Sequence, residues 1–318
     1  MALNCHYASI PGRISVVMPC YNAESFVLEA VDSVFGQSYP DVELVVVDDG
    51  STDGTRALLD GYGARVRVLR QDQAGPAAAR NAGIESSSGE FIAFLDADDF
   101  WDPDCLAKLH TGIEDGGAAI SYCGWANVGE RARNSQPFVP PDYENGQKLE
   151  RLLKNAALWP IHGALTRRSA LVEIGGFDAR LRECEDYDLW LRLAATRPLK
   201  LVPEVLAYYR HHKDFGPTDK RGRDARAMWE IKRRFIAENP LLVTHLGAPV
   251  IRDCVEGGLK RRGFECYWNN ELRSARLVFR LLLKTGHFAP ADLKHLLPAL
   301  LPERMFLALL GRRRALRS

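Results

Sequence analysis

Several features are scarce in this sequence, and each scarcity excludes a class of protein. The sequence has no marked excess of positive or negative charge, because 42 basic and 41 acidic side chains leave a formal net charge of +1 over 318 residues. This balance argues against a nucleic-acid binder, whose surface is normally strongly basic. The seven cysteines include neither a CxxC pair nor a metal-ligand spacing. We therefore expect reduced, mostly buried thiols in a cytoplasmic protein.

Long apolar runs are also lacking. The N-terminal stretch MALNCHYASIPGRISVVMPCYN has neither the basic start nor the apolar core of a signal peptide. Near the C-terminus, Pro298, Pro302, Glu303 and Arg304 interrupt the apolar segments well short of the roughly 20 residues that span a bilayer. The expectation is a soluble protein of the cytoplasm that at most sits on the inner face of the cell membrane.

What is present is an alternation of strand-like and helix-like segments. The runs ISVVM (14–18), VELVVVD (42–48), RVRVLRQ (65–71) and EFIAFL (90–95) indicate strands, and segments of helical periodicity separate them. Continuous apolar strands occur where helices cover both faces of a sheet, so the pattern predicts a Rossmann-like α/β fold with a mainly parallel sheet. Polar residues follow these strands, at the sheet edge where ligands bind in open α/β folds.

The fourth strand runs directly into a concentration of acidic residues. Asp96, Asp98 and Asp99 end the stretch FIAFLDADD, and Asp102 and Asp104 follow at the predicted start of a helix. Like charges this close repel one another unless a cation or a hydrogen-bonding ligand resolves the arrangement. Carboxylate oxygens suit Mg²⁺ or Mn²⁺, which one or two carboxylates and substrate phosphates commonly hold together. The cluster therefore predicts a Mn²⁺ or Mg²⁺ site that a nucleotide diphosphate shares.

Beyond this point the sequence divides into a mixed part and a helical part. The polar stretch 128–147 predicts a long surface loop that borders the site. The segment IHGALTRRSALVEIGGF predicts a strand, a short helix and a glycine turn, and EDYDLWLRLAAT predicts a helix with Leu189 and Leu193 on its apolar face. Residues 224–318 show helical patterns only and predict a helical extension.

The end of that extension has two interpretations. The apolar run FLALL stands beside a group of arginines: Arg312, Arg313, Arg314 and Arg317. A basic, partly apolar helix of this kind can lie on an anionic membrane surface as a peripheral contact. Alternatively, it packs on the protein core and leaves a solvated basic end.

Five motifs, taken in order, resemble those of the family 2 glycosyltransferases with the GT-A fold. They are SVVMPCYNAESFVLEAVDSVFGQSYPDVELVVVDDGSTDGT, RNAGI, FLDADD, GGFDARLRECEDYDLWLRL and YYRHH, between about residues 13 and 215. The resemblance implies a GT-A catalytic domain over residues 1–222, with a nucleotide-binding part at about 13–105 and an acceptor part at about 118–215. A helical extension over residues 223–318 lies outside the resemblance.

The resemblance also implies roles for individual residues. For the donor nucleotide these are Pro19, Tyr21, Asp48, Asp49 and Arg80, with Asp96 near the ribose. For the metal ion they are Asp98, Asp99 and His212. For the chemistry, Asp186 is implied as the general base, with Glu185 beside it. Alternatives are a solvated helix residue for Arg80, an exposed or structural role for His212, and either an acceptor contact or burial for Trp159 near His162.

The implied activity is inverting, metal-dependent transfer of a sugar from a nucleotide-diphosphate donor to a hydroxyl of a glycan or lipid-linked glycan. A UDP-sugar is the favoured donor, and the implied role is polysaccharide or lipopolysaccharide biosynthesis. A nicotinamide enzyme would carry GxGxxG after the first strand, and a metal phosphohydrolase would not need the EDYDLWLRL element. Processive synthases carry membrane helices and a QxxRW motif, which this sequence lacks. An inactive nucleotide-sugar-binding or scaffolding protein is the remaining alternative.

Overall fold

The computed structural model describes residue 3 and residues 8–129, 132, 135–155, 158–211 and 219–315, with side chains described as far as residue 310. The chain divides into two compact units. The first comprises Met1–Lys148 and Ala157–Lys213, and the second comprises Leu149–Ala156 and Asp214–Ser318.

An eight-stranded sheet organises the first unit. Its strands are β1 (Ile10–Cys20), β2 (Val42–Asp48), β3 (Arg67–Arg70), β4 (Gly89–Phe94), β5 (Phe100–Trp101), β6 (Ile120–Val128), β7 (Ala164–Arg167) and β8 (Leu199–Arg210). Their order across the sheet is β3-β2-β1-β4-β7-β6-β8-β5. Strands β1 to β4 pair in parallel, and every antiparallel pairing involves β5 or β7. The α/β sheet predicted from the sequence is therefore confirmed as a mixed sheet, in which the four strands that the apolar runs indicated are parallel, as are β6 and β8.

Helices cover both faces of this sheet. The helices of this unit are α1 (Val27–Phe35), α2 (Thr55–Asp60), α3 (Pro76–Ser86), α4 (Cys105–Gly116), α6 (Arg168–Glu173) and α7 (Glu185–Ala194), whereas α5 (Lys148–Lys154) belongs mostly to the second unit. On one face, Val16 and Met18 of β1 pack in a core cluster with Val31 of α1. On the other face, Val17 contacts α3, where a Cβ added to Gly83 would lie 2.3 Å from Val17 Cγ1. Burial on both faces explains why β1 reads as a continuous apolar run.

The second unit is helical and has a core of its own. It contains most of α5 together with α8 (Lys220–Glu238), α9 (Pro240–Val243), α10 (Ala248–Arg252), α11 (Gly258–Trp268), α12 (Leu272–Thr285), α13 (Leu293–Leu296) and α14 (Glu303–Ala315). A π-helical segment, Asp253–Gly257, joins α10 to α11. The predicted helical extension is thus confirmed. Phe306 and Leu310 of the FLALL run are buried in the core of this unit, as expected if the last helix packs on the protein.

Two further expectations concern cysteines and membrane spans. The six cysteines of the described residues are all free, and all but Cys184 are buried, as the scattered spacing predicted. Within the described ranges no helix combines the length and the hydropathy that crossing a bilayer requires.

Candidate active site

The loops after β1 and β2 are joined to each other by hydrogen bonds. Asn22 adopts a left-handed conformation with φ of 49°, and its Oδ1 accepts a hydrogen bond from the Thr52 backbone N–H at 2.8 Å. In return, the Asn22 backbone N–H donates to Ser51 Oγ at 3.1 Å. Tyr21 lies beside this junction with 46% of its surface exposed, and Pro19 precedes it in partly buried backbone. The two loops therefore form one fixed ledge with an exposed aromatic ring.

The adjacent carboxylates Asp48 and Asp49 have different surroundings. Asp49 accepts three hydrogen bonds, from Gln71 Nε2 at 2.7 Å, the Ala74 N–H at 2.8 Å and the Gly75 N–H at 2.8 Å. It therefore holds the loop before α3. Asp48 Oδ1 accepts from the Ser51 N–H at 2.9 Å, whereas its buried Oδ2 lies 3.6 Å from Arg56 Nε and has no hydrogen-bond partner among the residues that the structure describes.

Arg80 joins two of the acidic motifs. Its Nη2 lies 2.6 Å from Asp96 Oδ1, and its Nη1 lies 2.9 Å from Glu185 Oε1. The guanidinium is only 4% exposed and lies 5.4 Å from the centre of the Phe177 ring. Burial by itself lowers the pKa of Arg80, but the Asp96 and Glu185 carboxylates outweigh that effect and raise it. Arg80 is therefore a buried, charged bridge, and its interpretation as a solvated helix residue is wrong.

Hydrogen bonds from Arg210 at the end of β8 fix the turn that carries Asp98 and Asp99. Arg210 donates from its backbone N–H to Asp99 Oδ1 at 2.7 Å and from Nε to the Asp98 carbonyl oxygen at 2.9 Å. Asp99 Oδ2 lies 3.0 Å from His162 Nδ1, although the orientation of the ring does not allow a hydrogen bond. Asp99 is 2% exposed, so its carboxylate faces protein groups. This geometry argues against the metal-ligand role expected of Asp99, whereas the Asp98 side chain is partly exposed.

A preformed metal centre is not found in the described part of the chain. Within those ranges, no group of three or more His, Cys, Asp or Glu side chains is arranged to hold a metal ion. The expected ligand His212 lies outside the described residues. Asp102 and Asp104 immediately precede α4, as expected of residues that begin a helix.

Asp186 stands at the start of α7. Cys184 precedes that helix in a left-handed conformation with φ of 58°, and Asp186 Oδ1 accepts a hydrogen bond from the Tyr187 N–H at 2.7 Å. Burial, followed by the neighbouring carboxylate of Glu185, raises the pKa of Asp186 to about 6. A carboxylate with a pKa close to neutral pH is suited to general base catalysis.

Trp159 and His162 are both buried. Trp159 is 2% exposed and stacks on Tyr122 with ring centres 4.3 Å apart. Of its two interpretations, burial in the core is therefore the one observed. His162 is fully buried, and its ring stacks on Tyr209 at 5.9 Å with an interplanar angle of 15°.

Tyr209 and Arg210 were missed by the sequence reasoning, which considered only a histidine of YYRHH. Tyr209 is 37% exposed, and the partial burial of its hydroxyl raises the pKa of Tyr209, with the carboxylates of Asp99, Asp96, Asp98 and Asp186 raising it further, in that order. Its hydroxyl therefore stays protonated among four acidic groups. The signal available in the sequence was the arginine itself, because the acidic cluster needs a cation from elsewhere in the chain.

Comparison with known proteins gives the family. Residues 15–175 match the sequence model of the family described as Glycosyl transferase family 2. WfgD of Escherichia coli, named as a UDP-Glc:alpha-D-GlcNAc-diphosphoundecaprenol beta-1,3-glucosyltransferase, is 30% identical over 234 residues, which cover 72% of this chain and 88% of WfgD. An uncharacterized glycosyltransferase of Rickettsia typhi, RT0329, is 30% identical over 208 residues and 63% of this chain. The chain spans 64% of the length of that relative.

Two solved structures share the fold. TarS of S. aureus in complex with UDP-GlcNAc matches with a TM-score of 0.61 and 19% identity, covering 95% of this chain and 87% of TarS. The mannosyltransferase PcManGT of Pyrobaculum calidifontis, in complex with GDP-Man and Mn²⁺, matches with a TM-score of 0.59 and 20% identity, covering 96% and 87%. At these identities the likeness concerns the fold alone, and it confirms the expected GT-A architecture. Because the family model spans half of the sequence, and WfgD is 30% identical with 88% of its length covered, the chain belongs to family 2 of the glycosyltransferases.

Proposed function

We propose that the protein transfers a sugar from a nucleotide-diphosphate donor to a hydroxyl of a glycan or lipid-linked glycan, with inversion at the anomeric carbon. The observation that carries this proposal is the Arg80 bridge, which places Asp96 and Glu185, 89 residues apart in sequence (185 − 96), on one guanidinium. Asp96 belongs to the part of the site that is expected to bind the donor and the metal ion. Glu185 is the sequence neighbour of Asp186, the expected base.

Recognition of the nucleotide base is assigned to the ledge formed by the loops after β1 and β2. The buried Asp48 Oδ2, which lacks a hydrogen-bond partner among the described residues, would accept the imide N–H of uracil, and Tyr21 would pack beside the ring. Arg56 Nε, 3.6 Å from this oxygen, compensates part of its charge, and the imide N–H would supply the hydrogen bond, whose absence at a buried acceptor costs about 1–3 kcal/mol. Asp49 instead positions the loop before α3. The donors named for WfgD and TarS also favour UDP, although that of PcManGT is GDP-Man.

The residues present fit a divalent cation that the donor diphosphate completes. Asp96 and Asp98 are partly exposed carboxylates that follow β4, and Mg²⁺ or Mn²⁺ is commonly held by one or two carboxylates with substrate phosphates. When bound, such a cation stabilises the negative charge that develops on the leaving diphosphate. We assign Asp98 as the ligand and Asp96 as the contact to the ribose. Asp99 is assigned the structural role of holding the turn to β8.

Asp186 is assigned as the base. It removes the proton of the acceptor hydroxyl while the hydroxyl oxygen bonds to the anomeric carbon. The bond between that carbon and the diphosphate oxygen breaks, and the electron pair leaves with the nucleoside diphosphate. A single displacement of this kind inverts the anomeric centre. Glu185, fixed by Arg80 at 2.9 Å, orients the acceptor beside Asp186.

We assign this chemistry to the first unit and a role in polysaccharide or lipopolysaccharide biosynthesis in the cytoplasm. The acceptor named for WfgD is a diphosphoundecaprenol-linked sugar, which supports a lipid-linked glycan here. This assignment requires no nucleic-acid partner.

The decisive experiment is turnover of a panel of sugar nucleotides by the purified protein with Mn²⁺, Mg²⁺ or EDTA, alongside calorimetric titration of UDP. We expect donor hydrolysis or transfer that depends on the added cation and UDP binding that Mn²⁺ strengthens. UDP binding without turnover of any donor would instead favour the inactive nucleotide-sugar-binding protein. Full activity in EDTA would refute the metal assignment.

A further inference from the structure

The second unit contains a groove of about 880 Å³. Helices α8 and α12 form its walls, and Glu303 at the start of α14 also lines it. Its lining is rich in basic side chains: Arg226, Arg273, Arg276, Arg280 and Lys284. Trp229, Leu277 and Leu281 supply its apolar surface. The groove is therefore both cationic and apolar.

The carboxylates of the groove are already paired with arginines. Asp219 lies 2.8 Å from Arg223, and Glu230 lies 2.7 Å from Arg226. The third carboxylate, Glu303, lies 3.1 Å from Arg273. Because all three carboxylates are paired, none of them neutralises the other basic side chains that line the groove.

Those remaining cations form a column on α12. Arg276, Arg280 and Lys284 follow one another at intervals of four residues, which places them on the same helix face. Arg276 donates two hydrogen bonds to the Leu301 carbonyl oxygen, at 2.7 and 3.2 Å. Within the described ranges, these three side chains have no ion pair with a carboxylate. Arg280 and Lys284 are exposed, so their charges are available to an anion.

The segment around Leu301, to which Arg276 is hydrogen-bonded, carries exposed apolar side chains. Leu297 is 51% exposed, Leu300 is 58% exposed and Met305 is 56% exposed. Leu297 and Leu300 are three residues apart in a single 3₁₀ turn, Leu297–Leu300, and therefore project on the same side. The hydrogen bonds from Arg276 to the Leu301 carbonyl oxygen connect the residue after this turn to a side chain that lines the groove. Exposed apolar groups that share one side, as Leu297 and Leu300 do, are typical of interaction surfaces.

We propose that this face of the second unit docks on a membrane that contains anionic lipids. The Arg276–Arg280–Lys284 column takes lipid phosphate groups, while Leu297, Leu300 and Met305 enter the interface between headgroups and acyl chains. A bilayer is favoured over a soluble anion because only a bilayer offers both negative charge and an apolar layer. This surface differs from the FLALL run considered above, whose Phe306 and Leu310 are buried.

The test is co-sedimentation of the full chain with vesicles of phosphatidylcholine, with and without phosphatidylglycerol. We expect binding to the anionic vesicles that high salt weakens, and binding to pure phosphatidylcholine that is at least about tenfold weaker. Arg280→Ala/Lys284→Ala should lower the partition coefficient for anionic vesicles by about tenfold or more, because each cation near such a surface contributes a factor of about five. The matched control Lys220→Ala/Arg252→Ala removes the same charge from exposed positions outside the groove and should change binding less than about twofold.

A second pair of variants tests the apolar half of the surface. Leu297→Ser/Leu300→Ser keeps every cation and should weaken vesicle binding, whereas Leu241→Ser at a 93% exposed position should not. Equal weakening by the groove and control charge variants would overturn the proposal, as would failure of the wild-type chain to bind anionic vesicles. Binding to soluble polyphosphate that depends on Arg280 and Lys284, without vesicle binding, would overturn it in favour of a soluble anion. None of these measurements uses sugar transfer, so they stand apart from the proposed activity.

Discussion

At the scale of single residues, Arg80 is the group on which the arrangement of the site depends. It is 4% exposed and pairs with Asp96 and Glu185 at once. A buried cation of this kind is retained only because its partners compensate for its desolvation, and removing it leaves two carboxylates without that compensation. The planar guanidinium reaches both partners, whereas an ammonium group is a single point charge.

Arg80→Lys should therefore lower kcat/KM by at least about tenfold, because a lysine keeps the charge but loses one of the two bridging contacts. Steady-state kinetics with the active donor provide the measurement. The same change at Arg65, which lies over the Phe35 ring at an exposed position, is the control and should leave kinetics unchanged. Near wild-type kinetics for Arg80→Lys would show that the bridge does not organise the site.

The raised pKa of Asp186 predicts how kcat/KM depends on pH. Because its pKa is raised to about 6, the ionised base should be lost below that pH, and kcat/KM should fall about tenfold per pH unit on the acidic side. Asp186→Asn should lower transfer by about 10² to 10⁴-fold and remove this acidic limb while UDP binding persists. A residual acidic limb in the variant would assign it to another group.

The raised pKa of Asp186 also allows two causes of lost activity in Asp186→Asn to be distinguished, namely removal of the base and unfolding of the protein. The pKa of Asp186 is higher in the folded chain than the ordinary carboxyl value, so ionisation of Asp186 opposes folding, and this effect grows as pH rises through the interval from about 4 to about 6. Asp186→Asn removes the effect, and its thermal midpoint at neutral pH should match or exceed that of the wild-type chain. A lower midpoint would mean that the variant loses activity through instability.

At the scale of elements, the close approach of α3 to β1 brings Arg80 to the site. Gly83 lies almost one turn after Arg80 and faces Val17, so that a Cβ there would meet Val17 Cγ1 at 2.3 Å. Asn81 fixes the neighbouring turn, because its side chain accepts from the Phe177 N–H and donates to the Phe177 carbonyl, both at 2.9 Å. The glycine and the asparagine of RNAGI thus position the arginine of the same motif.

Gly83→Ala should destabilise the protein by about 1–3 kcal/mol, because the added methyl overpacks the contact between α3 and β1. It should also lower activity by displacing Arg80. Gly116→Ala in α4 is the control, since its added methyl would lie 3.4 Å from the flexible Lys200 side chain. Denaturant unfolding and kinetics on both variants test this, and equal stability of the two would contradict the packing argument.

At the scale of the whole molecule, the chain has two compact units, each with a core of its own. In the second unit, Val278, Phe279 and Leu282 of α12 are fully buried. Helix α12 lies at the centre of that unit, and Phe279 packs against Phe264 and Tyr267 of α11 with ring centres 5.1 and 5.7 Å apart.

Phe279→Ala should cost about 3–5 kcal/mol of local stability, because it leaves a cavity where α11 and α12 meet. Hydrogen exchange measured by mass spectrometry should show faster exchange in peptides from both helices. The partly buried Leu277 is the control position, and Leu277→Ala should have a smaller effect on the same peptides. Equal exchange rates for the two variants would argue against the central role of Phe279.

The sequence predicted the strands of the parallel sheet, the glycine turn at Gly175 and Gly176 and the helical second unit, because hydrophobic periodicity and turn residues are local signals. It was less informative for the site. Asp48 and Asp49 were assigned together, yet successive side chains in extended backbone point to opposite sides, so one faces Ser51 and the other faces the loop before α3. For Asp99 the local pattern indicated a metal ligand and could not show the hydrogen bond from Arg210 of β8, which comes from a distant part of the sequence.

By itself, the sequence determined the order of the motifs, the α/β class, the family resemblance and the candidates for base and metal ligand. Only the tertiary structure decided which of those candidates face one another. Arg80 meets Glu185 across 105 residues, and Arg210 meets Asp99 across 111. Contacts over such separations depend on how helices and strands pack, whereas a local pattern reports only which face of an element is apolar. The periodicity therefore revealed the elements, and packing selected the partners of their charged side chains.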